Sequence, residues 1–433
     1  MKKESISNWG NYPKIEAEVF EPAFVHEVSS VVKKEQSILA RGNGRCYGDV
    51  SLSKKILSTL SLNKILAFDK TTGAINCQSG ILLSDILKVT VPFGFFLPVT
   101  PGTKFITLGG ALASDVHGKN HHAEGCFSNH VSKFKLVAAD GNTLDCSRTE
   151  NAEIFWNTIG GMGRTGVITE VAFQLKKIET SYIVSRNIKV KNLDEMLDLF
   201  DQSGDITYSV AWMDCLKKGA DQGRGILMLG EHATLADLDT KKKKNPLALP
   251  NKTNLNVPLF FPGWVLNKFA VKAFNFLFYN KQRKKISTSI IDYDKFFYPL
   301  DAILNWNRIY GKKGFTQYQF VLPKASGKNG LKEILDTISH AGEGSFLVVL
   351  KLFGETEPLA KWSFPIEGYT LALDFKITPD TPKLINQLDD IVQRYNGRIY
   401  LSKDAFSRRS LSNLPSKVHS KFTSLQAERL KLI

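Results

Sequence analysis

The most informative segment of this chain is RGNGRCYGD, residues 41–49. It places three glycines and two arginines within nine residues. Glycine adopts positive φ at little cost and has no side chain that would block close approach to the backbone. Successive backbone N–H groups in such a loop can converge on the oxygens of a phosphate. The segment therefore predicts an anion-binding loop, against the plainer alternative of a surface turn with exposed arginines.

Two further glycine-rich regions follow along the chain. Residues 98–103 (PVTPGT) and 107–120 (TLGGALASDVHGKN) consist largely of small side chains. A planar or diphosphate ligand lying against the backbone requires such residues, although tight helix packing through Gly and Ala would select them too. The last region, residues 160–166 (GGMGRTG), contains a formal GxGxxG pattern from Gly161 to Gly166.

The order of elements around that pattern argues against a Rossmann dinucleotide site. Such a site needs a strand before the glycines and a helix after them. Here a helix-like run at 151–158 precedes and a strand-like run at 167–175 follows. The first loop fails as well, because Tyr47 stands where the third glycine would be. A Rossmann site is therefore excluded in both places.

Charge is concentrated in one part of the chain. The 433 residues carry 57 Lys and Arg against 42 Asp and Glu, a formal net charge of +15. Residues 240–291 hold eleven of the basic residues and no acidic one, which leaves 46 against 42 elsewhere. A nucleic-acid footprint would spread over a face of a folded domain, so no nucleic-acid partner is expected.

Cysteine and histidine usage excludes several kinds of site. There are five cysteines and no CxxC pair, so neither a disulfide framework nor a zinc ribbon is expected. His117, His121, His122 and His130 lie close together, but Gly118-Lys119 interrupts any helix that would align them, and no carboxylate or cysteine stands at ligand spacing. We expect no metal, with His117 near a cofactor and the other three histidines structural.

The ends and hydropathy of the chain bear on its location. No apolar run follows Met1-Lys2-Lys3 as in a secretory signal, and none approaches a membrane span. The expectation is a cytoplasmic protein, either free or peripheral at the inner membrane face. The aromatic residues among the lysines of 241–285 favour contact with an anionic membrane surface. The alternative is a mobile, solvated loop that covers the active site.

Strand-like and helix-like runs alternate along the chain, which predicts an α+β fold. Read together, the glycine-rich segments resemble the FAD-binding domain of vanillyl-alcohol-oxidase (PCMH-type) flavoproteins. Within that superfamily they resemble most the decaprenylphosphoryl-β-D-ribose 2′-oxidase family. Further matching strings are HGKNHH (117–122), PLD (299–301), WNRIYG (306–311), QYQF (317–320), KLFG (351–354), SFP (363–365) and YLSKD (400–404). They span nearly the whole chain and keep their order.

The resemblance implies a division of the chain and a set of site residues. Residues 1–180 would form the FAD-binding domain, 181–396 an inserted α+β substrate domain with the basic insert 240–291, and 397–433 a segment returning to the FAD domain. The cofactor residues would be Arg41, Gly42, Asn43, Gly44, Arg45, Cys46, Tyr47, Gly48, Thr100, Pro101, Gly102, Thr103, Gly109, Gly110, Ser114, Asp115, His117, Gly118, Asn120, Gly161, Gly166, Val167 and Ile168. The catalytic residues would be Lys403, Lys351, His117 and Tyr47, and the substrate residues Tyr310, Gln317, Gln319, Lys351 and Lys403.

Two departures from the family pattern qualify the resemblance. Superfamily members with covalently bound flavin often carry a histidine in the first loop, where this chain has Cys46-Tyr47, so non-covalent FAD is implied. Mycobacterial members have a cysteine where this chain has Ala372, which bears on inhibitor reactivity and leaves the exact substrate in doubt.

The function implied by the resemblance is oxidation of a secondary alcohol of a lipid-linked or free sugar. The leading hypothesis is oxidation of the 2′-hydroxyl of a polyprenyl-phosphoryl pentose, the first half of an epimerisation in cell-envelope biogenesis. A separate NAD(P)-dependent short-chain reductase would complete it. One alternative is an alditol or aldonolactone oxidase, and another is a non-catalytic, basic membrane- or nucleic-acid-binding protein.

Overall fold

The computed structural model describes residues 2–250, 255–408 and 421–432. The fold is α+β with two domains, as predicted. Within these ranges, no helix is both long and apolar enough to cross a membrane. The predicted segments at 240–291 and 397–433 each include residues outside the described ranges, namely 251–254, 409–420 and 433.

The first 180 residues form two main sheets with short helices between them. The elements are β1 (Lys2–Ile6), β2 (Ile15–Phe20), α1 (Val25–Lys34), β3 (Leu39–Arg41), β4 (Lys55–Ser58), β5 (Ile65–Phe68), β6 (Ala74–Gln78), α2 (Leu83–Thr90), β7 (Phe95–Phe96), α3 (Leu108–Ala113), α4 (His121–Glu124), β8 (Val131–Val137), β9 (Thr143–Ser147), α5 (Ala152–Thr158), β10 (Val167–Gln174) and β11 (Lys176–Lys177). The sheets have the orders β1-β2-β4-β3 and β5-β6-β10-β8-β9, and β7 pairs with β11. The loop at 41–49 thus leaves the end of β3.

The described residues after 180 build one large sheet and one small sheet, in which β15 pairs with β17. Their elements are β12 (Tyr182–Val190), α6 (Leu193–Gln202), β13 (Tyr208–Met213), β14 (Gly225–His232), α7 (Thr240–Lys243), β15 (Leu255–Asn256), α8 (Lys268–Lys281), β16 (Ile286–Asp292), α9 (Tyr293–Phe297), β17 (Ile303–Leu304), β18 (Phe315–Pro323), α10 (Lys324–Ala341), β19 (Val348–Phe353), β20 (Gly368–Lys376), α11 (Thr381–Arg394), β21 (Arg398–Ile399) and α12 (Leu425–Arg429). Eight of these strands pair in the order β16-β12-β14-β13-β19-β20-β18-β21.

The two faces of the large sheet have different roles, because successive side chains of a strand point to opposite faces. Tyr318, Phe320 and Leu371 face the core that also contains the apolar stripes of α6, α10 and α11. Gln317 and Gln319 alternate with them on β18 and face the other way. They stand directly opposite Asp374 and Ala372 of β20. A polar set is thereby concentrated on the face turned away from the helices.

That face meets the N-terminal half through a continuous apolar core. Tyr208, Phe296 and Tyr298 belong to the same buried cluster as residues of β6, α2 and β10. At the C-terminal end, Arg398–Ile399 still pair with β18, whereas Phe422 lies in a cluster with residues of α1 and β4. Where the independent folding units begin and end stays a prediction.

Candidate active site

The three glycine-rich regions, far apart in sequence, meet in the structure. The Asn43 side chain donates a hydrogen bond to the Phe105 carbonyl at 2.7 Å, which joins the first region to the turn between residues 98–103 and 107–120. The Met162 amide donates to the Ala113 carbonyl at 2.9 Å, which joins the second and the third. Residues 400–404 close the arrangement, since the Tyr47 amide donates to the Ser402 carbonyl at 3.2 Å. The regions therefore form one site.

The first loop has the free donors that a phosphate needs. Within the described parts of the chain, the backbone N–H groups of residues 42–45 donate to no backbone carbonyl. Gly44 has a φ of +59°, a conformation that side-chain-bearing residues rarely adopt. Unpaired donors in consecutive positions are the arrangement that binds anions. This loop therefore fits the pyrophosphate of a dinucleotide.

Asp374 lies at the centre of the polar face of the large sheet. Its Oδ1 accepts a hydrogen bond from the Gln317 amide at 2.6 Å, and its Oδ2 accepts one from the Tyr310 hydroxyl at 3.1 Å. Burial raises the pKa of Asp374 to about 7, and the two hydrogen bonds together with the nearby Lys403 oppose that rise. The carboxyl group is thus held in place by two side chains predicted to bind substrate, Gln317 and Tyr310.

His117 connects this face to the second glycine-rich region. The Gln319 amide donates to His117 Nε2 at 2.8 Å. Burial, followed by the positive charges of Lys351 and Lys403 and the nearby His121, lowers the pKa of His117 well below its usual value. The ring is therefore neutral and carries its proton on Nδ1, which is buried and has no partner among the described residues. That N–H is available to a group bound in the site.

Two lysines complete the site. The Lys403 ammonium lies over the Tyr47 ring, 4.1 Å from its centroid. Burial lowers the pKa of Lys403 to about 8, against the opposing effect of Asp374. Burial and the charge of Lys403 lower the pKa of Lys351 to about 7. At neutral pH, Lys403 is thus mainly charged and Lys351 is partly neutral.

Comparison with known proteins identifies the family. Residues 17–147 match the model of an FAD binding domain. The chain is 35% identical to decaprenylphosphoryl-β-D-ribose oxidase of Mycolicibacterium smegmatis, over 86% of this chain and 81% of that protein. The chain belongs to the decaprenylphosphoryl-β-D-ribose oxidase family. It is therefore an FAD-dependent oxidoreductase.

Other relatives of this flavoenzyme are more distant or match only part of it. A Streptomyces coelicolor protein named only as uncharacterised is 28% identical over 80% of this chain and 95% of its own length. L-gulonolactone oxidase of the shark Scyliorhinus torazame is 31% identical, but over only 39% of this chain and 40% of its own length. Aldonolactone oxidases thus share about two fifths of the chain.

The predicted cofactor residues of the flavoenzyme fall into two groups. Some have no polar side chain and are predicted to contact the cofactor through backbone or apolar atoms: Gly42, Gly44 and Gly48 in the first loop, Pro101 and Gly102 in the second, Gly109 and Gly110 at the start of α3, Gly118 after it, and Gly161, Gly166, Val167 and Ile168 before and in β10. Others have side chains that already bond within the protein: Arg41, Asn43, Arg45, Cys46, Thr100, Thr103, Ser114, Asp115 and Asn120.

The two arginines of the first loop illustrate the second group. Arg41 donates to the Ser7 carbonyl at 2.8 Å, so it ties down the N-terminal turn. Arg45 stacks on the Trp9 ring at 4.1 Å. These contacts fix both guanidinium groups beside the loop, and Arg41 Nε is buried without a partner among the described residues. We therefore expect the arginines to add to what the loop backbone offers an anion.

Two residues of the site were missed from the sequence. Asp374 lies in an apolar run that predicts only a strand, and Lys119 lies between His117 and His121, where the sequence assigns it no role. Burial and then the charge of Lys351 lower the pKa of Lys119 to about 7, and its ammonium donates to the Phe296 carbonyl. The alternation of Gln317 and Gln319 on β18 was the available signal, since it marks one polar face of the strand, and a residue opposite either glutamine lies on that face.

The neighbouring histidines bond to separate backbone groups. His121 Nδ1 accepts from the Gly354 amide at 3.2 Å, the His122 ring lies 2.8 Å from the Ile206 carbonyl, and the His130 ring lies 3.1 Å from the Glu124 carbonyl. In the described ranges, no three His, Cys, Asp or Glu residues are grouped so as to hold a metal. These contacts give the three histidines structural roles.

The site has the groups that oxidation of an alcohol needs. The chemistry that FAD would supply in this site is acceptance of a hydride from the substrate carbon. The neutral amine of Lys351 can accept the hydroxyl proton, because its pKa is close to neutrality. The ammonium of Lys403 can stabilise negative charge that develops beside it. The glutamines and Asp374 can position the hydroxyl groups of a sugar.

These two lysines predict a bell-shaped pH dependence for kcat/KM, with its maximum between about pH 7 and pH 8. Activity should fall below about pH 7, where Lys351 becomes protonated, and above about pH 8, where Lys403 loses its charge. His117 should add no limb, because its pKa lies well below this range. Anaerobic flavin reduction at limiting substrate, followed from pH 5.5 to pH 9.5, checks this; a flat profile contradicts it.

Proposed function

We propose that this flavoenzyme oxidises the 2′-hydroxyl of a polyprenyl-phosphoryl ribose. The observation that carries the proposal is the match over 86% of the chain to an oxidase of decaprenylphosphoryl-β-D-ribose, which covers both the FAD-binding and the substrate halves. The polar face formed by Gln317, Gln319 and Asp374 supports it, because a ribose presents several hydroxyl groups to be positioned.

The oxidised sugar would be a ketone and the first half of an epimerisation. Its reduction on the opposite face would need a second enzyme, for which an NAD(P)-dependent short-chain reductase is the proposed partner. We further propose that FAD is bound non-covalently, since the first loop offers Cys46 and Tyr47 but no histidine. Cys46 lies 3.0 Å from the Ser51 hydroxyl. The proposed location is the cytoplasmic face of the inner membrane.

The test of this function is anaerobic mixing of the FAD-loaded enzyme with candidate sugars. A polyprenyl-phosphoryl ribose should bleach the flavin absorption in a single turnover, and borohydride trapping with mass spectrometry should place the new carbonyl at the 2′ position. The matched arabinose epimer, free ribose and the 2′-deoxy analogue serve as controls. Bleaching that is equally fast with the 2′-deoxy analogue would disprove oxidation at this position.

The alternative of an aldonolactone or alditol oxidase is supported by a smaller part of the chain. The match to L-gulonolactone oxidase covers 39% of the chain. It therefore leaves about three fifths of the chain unmatched. Faster bleaching by L-gulonolactone or an alditol than by the phosphoryl ribose would favour this alternative. Extraction of FAD by acid precipitation tests the non-covalent attachment, since covalent flavin would stay with the protein.

A further inference from the structure

The helix α8 exposes an apolar face to the surroundings. Phe269, Ala273, Phe276 and Leu277 follow the spacing of one helical face, and Phe269 is 81% exposed. The opposite face holds Val271 and the fully buried Asn275. A helix with apolar residues on both faces is normally covered on both. The outward face of α8 therefore needs an apolar partner.

The helix is fixed on its inner side, so the exposed face is not a consequence of a loose segment. Asn275 donates to Asp214 Oδ1 at 2.9 Å in a buried contact. Phe278 packs on Trp212 with ring centroids 4.6 Å apart. At its start, the Asn267 side chain accepts hydrogen bonds from the amides of residues 269 and 270. The orientation of α8 is thus determined by polar and aromatic contacts beneath it.

A second group of exposed apolar side chains precedes the helix. Leu255, Leu259 and Trp264 are mostly exposed, with Trp264 at 76%. The segment is held in place, because the Phe261 amide donates to the Arg308 carbonyl at 3.0 Å. These residues and the outward face of α8 are together called the apolar surface.

The apolar surface borders the substrate side of the site. Beneath α8, Phe274 packs on Phe346 with centroids 5.6 Å apart, and Phe346 stacks on Tyr310 at 5.7 Å. Tyr310 in turn bonds to Asp374. On the other segment, the Gly263 carbonyl accepts a hydrogen bond from Lys376, the residue two positions after Asp374. Whatever covers this surface therefore lies next to the substrate pocket.

The positive charge around the apolar surface indicates what kind of partner can cover it. Residues 240–291 carry eleven Lys and Arg and no Asp or Glu. Lys272, Lys281, Arg283 and Lys284 are exposed on and just after α8. A second copy of the chain would bring two such positive segments together, which is unfavourable. An anionic lipid surface accepts both features, since aromatic and aliphatic side chains enter the headgroup boundary and lysines meet the lipid phosphates.

We propose that the apolar surface inserts into the headgroup region of an anionic membrane and places the substrate pocket at that surface. This deepens the proposed function, because a polyprenyl-phosphoryl substrate would reach the pocket from the same bilayer. α8 has 14 residues and would lie in the plane of the interface. Its apolar side chains would be buried without the helix crossing the membrane.

The test is flotation of the full-length, FAD-loaded enzyme with lipid vesicles. Vesicles of phosphatidylcholine with about 30 mol% phosphatidylglycerol should bind it more tightly than phosphatidylcholine alone, and added salt should weaken binding. The variant F269S/F276S/L277S should lower the partition coefficient about tenfold or more. The matched control F24S/L66S/L359S, which removes three exposed apolar side chains elsewhere, should bind like the wild type.

Insertion has a direct optical readout. On binding, the fluorescence of Trp264 should shift to shorter wavelength and be quenched by brominated lipids, and W264F should lose that response. Failure of the wild type to bind anionic vesicles, or equal binding by the triple-serine variant, overturns the proposal. So does a wild-type dimer that the triple-serine variant cannot form, since the surface would then be an interface between copies.

These outcomes are separate from those of the proposed function. Vesicle binding is measured without substrate. The triple-serine variant should bleach its flavin at the wild-type rate with a short-chain prenyl-phosphoryl ribose in detergent, because none of its three positions lies in the site. If the wild type binds vesicles but oxidises no such sugar, the function is wrong and the membrane surface stands.

Discussion

Replacing Lys403 with methionine is expected to slow flavin reduction by the sugar substrate by about 10²–10⁴-fold, the range typical for removal of one catalytic group. Methionine keeps much of the length of the lysine side chain but removes the charge above the Tyr47 ring. FAD should remain bound, because the donors predicted to bind its phosphates belong to the backbone of residues 42–45 and not to Lys403. Stopped-flow absorbance under anaerobic conditions measures the rate, and the flavin-to-protein absorbance ratio measures cofactor content.

The pH profile distinguishes the role of Lys403 as a cation from a merely structural role. The methionine variant should lose the fall in rate above about pH 8. It should keep the acid-side fall assigned to Lys351 but move it to higher pH, because the charge of Lys403 helps to lower the pKa of Lys351. An arginine variant should retain charge but fit poorly beside Asp374 and Tyr47. K383M, at an exposed lysine of α11, is the control and should behave like the wild type. Reduction by K403M within tenfold of the wild-type rate would contradict the assignment.

The sequence could predict those parts of the site that depend on the pattern of residues close together in the chain. The glycines of residues 41–49 mark a loop with unusual backbone requirements, and the alternation of Gln317 and Gln319 marks one face of a strand. Both signals depend on neighbours within a few residues. The family resemblance added the order of these segments and hence the cofactor.

What the sequence could not give depends on pairings between distant positions. Asp374 acquires its importance from strand register, which sets it opposite Gln317, 57 residues away. Local pattern shows only an acidic residue in an apolar strand. Arg41 and Arg45 were expected to attract an anion, but whether an arginine faces a ligand or its own fold depends on Ser7 and Trp9, which lie in the N-terminal turn.

The most distant of these pairings gives the second prediction. Arg429 of α12 makes paired hydrogen bonds to Asp49 at 2.9 and 2.8 Å, and another to Asp404 at 2.7 Å. The two carboxylates are almost fully buried, with side chains 8% and 1% exposed. R429M should therefore destabilise the protein by about 3–5 kcal/mol, because it leaves two buried carboxylates without their cation. Urea unfolding, followed by circular dichroism, measures the loss.

The same variant should weaken FAD binding, and this links the tail to the cofactor site. Asp49 ends the first glycine-rich loop, and Asp404 follows Lys403. Releasing their common partner loosens both segments, so the Kd for FAD should rise about tenfold or more. R429K should rescue only part of this, because an ammonium cannot reproduce the paired geometry. R394M is the matched control: its ion pair with Glu333 is exposed, so its effect should stay within about 1 kcal/mol.

A third variant distinguishes two causes of the lost stability: buried carboxylates without their cation, and the loss of packing by the arginine side chain. If the unpaired carboxylates cause the instability of R429M, neutralising both in D49N/D404N/R429M should recover a large part of the lost stability, since removing a whole buried charge group costs much less than removing one partner. If the triple variant is no more stable than R429M, the arginine acts through its packing and its bond to the Ser407 carbonyl. The link between charge at the tail and cofactor affinity would then fail, because neither carboxylate would be what holds the glycine loop against residues 400–404.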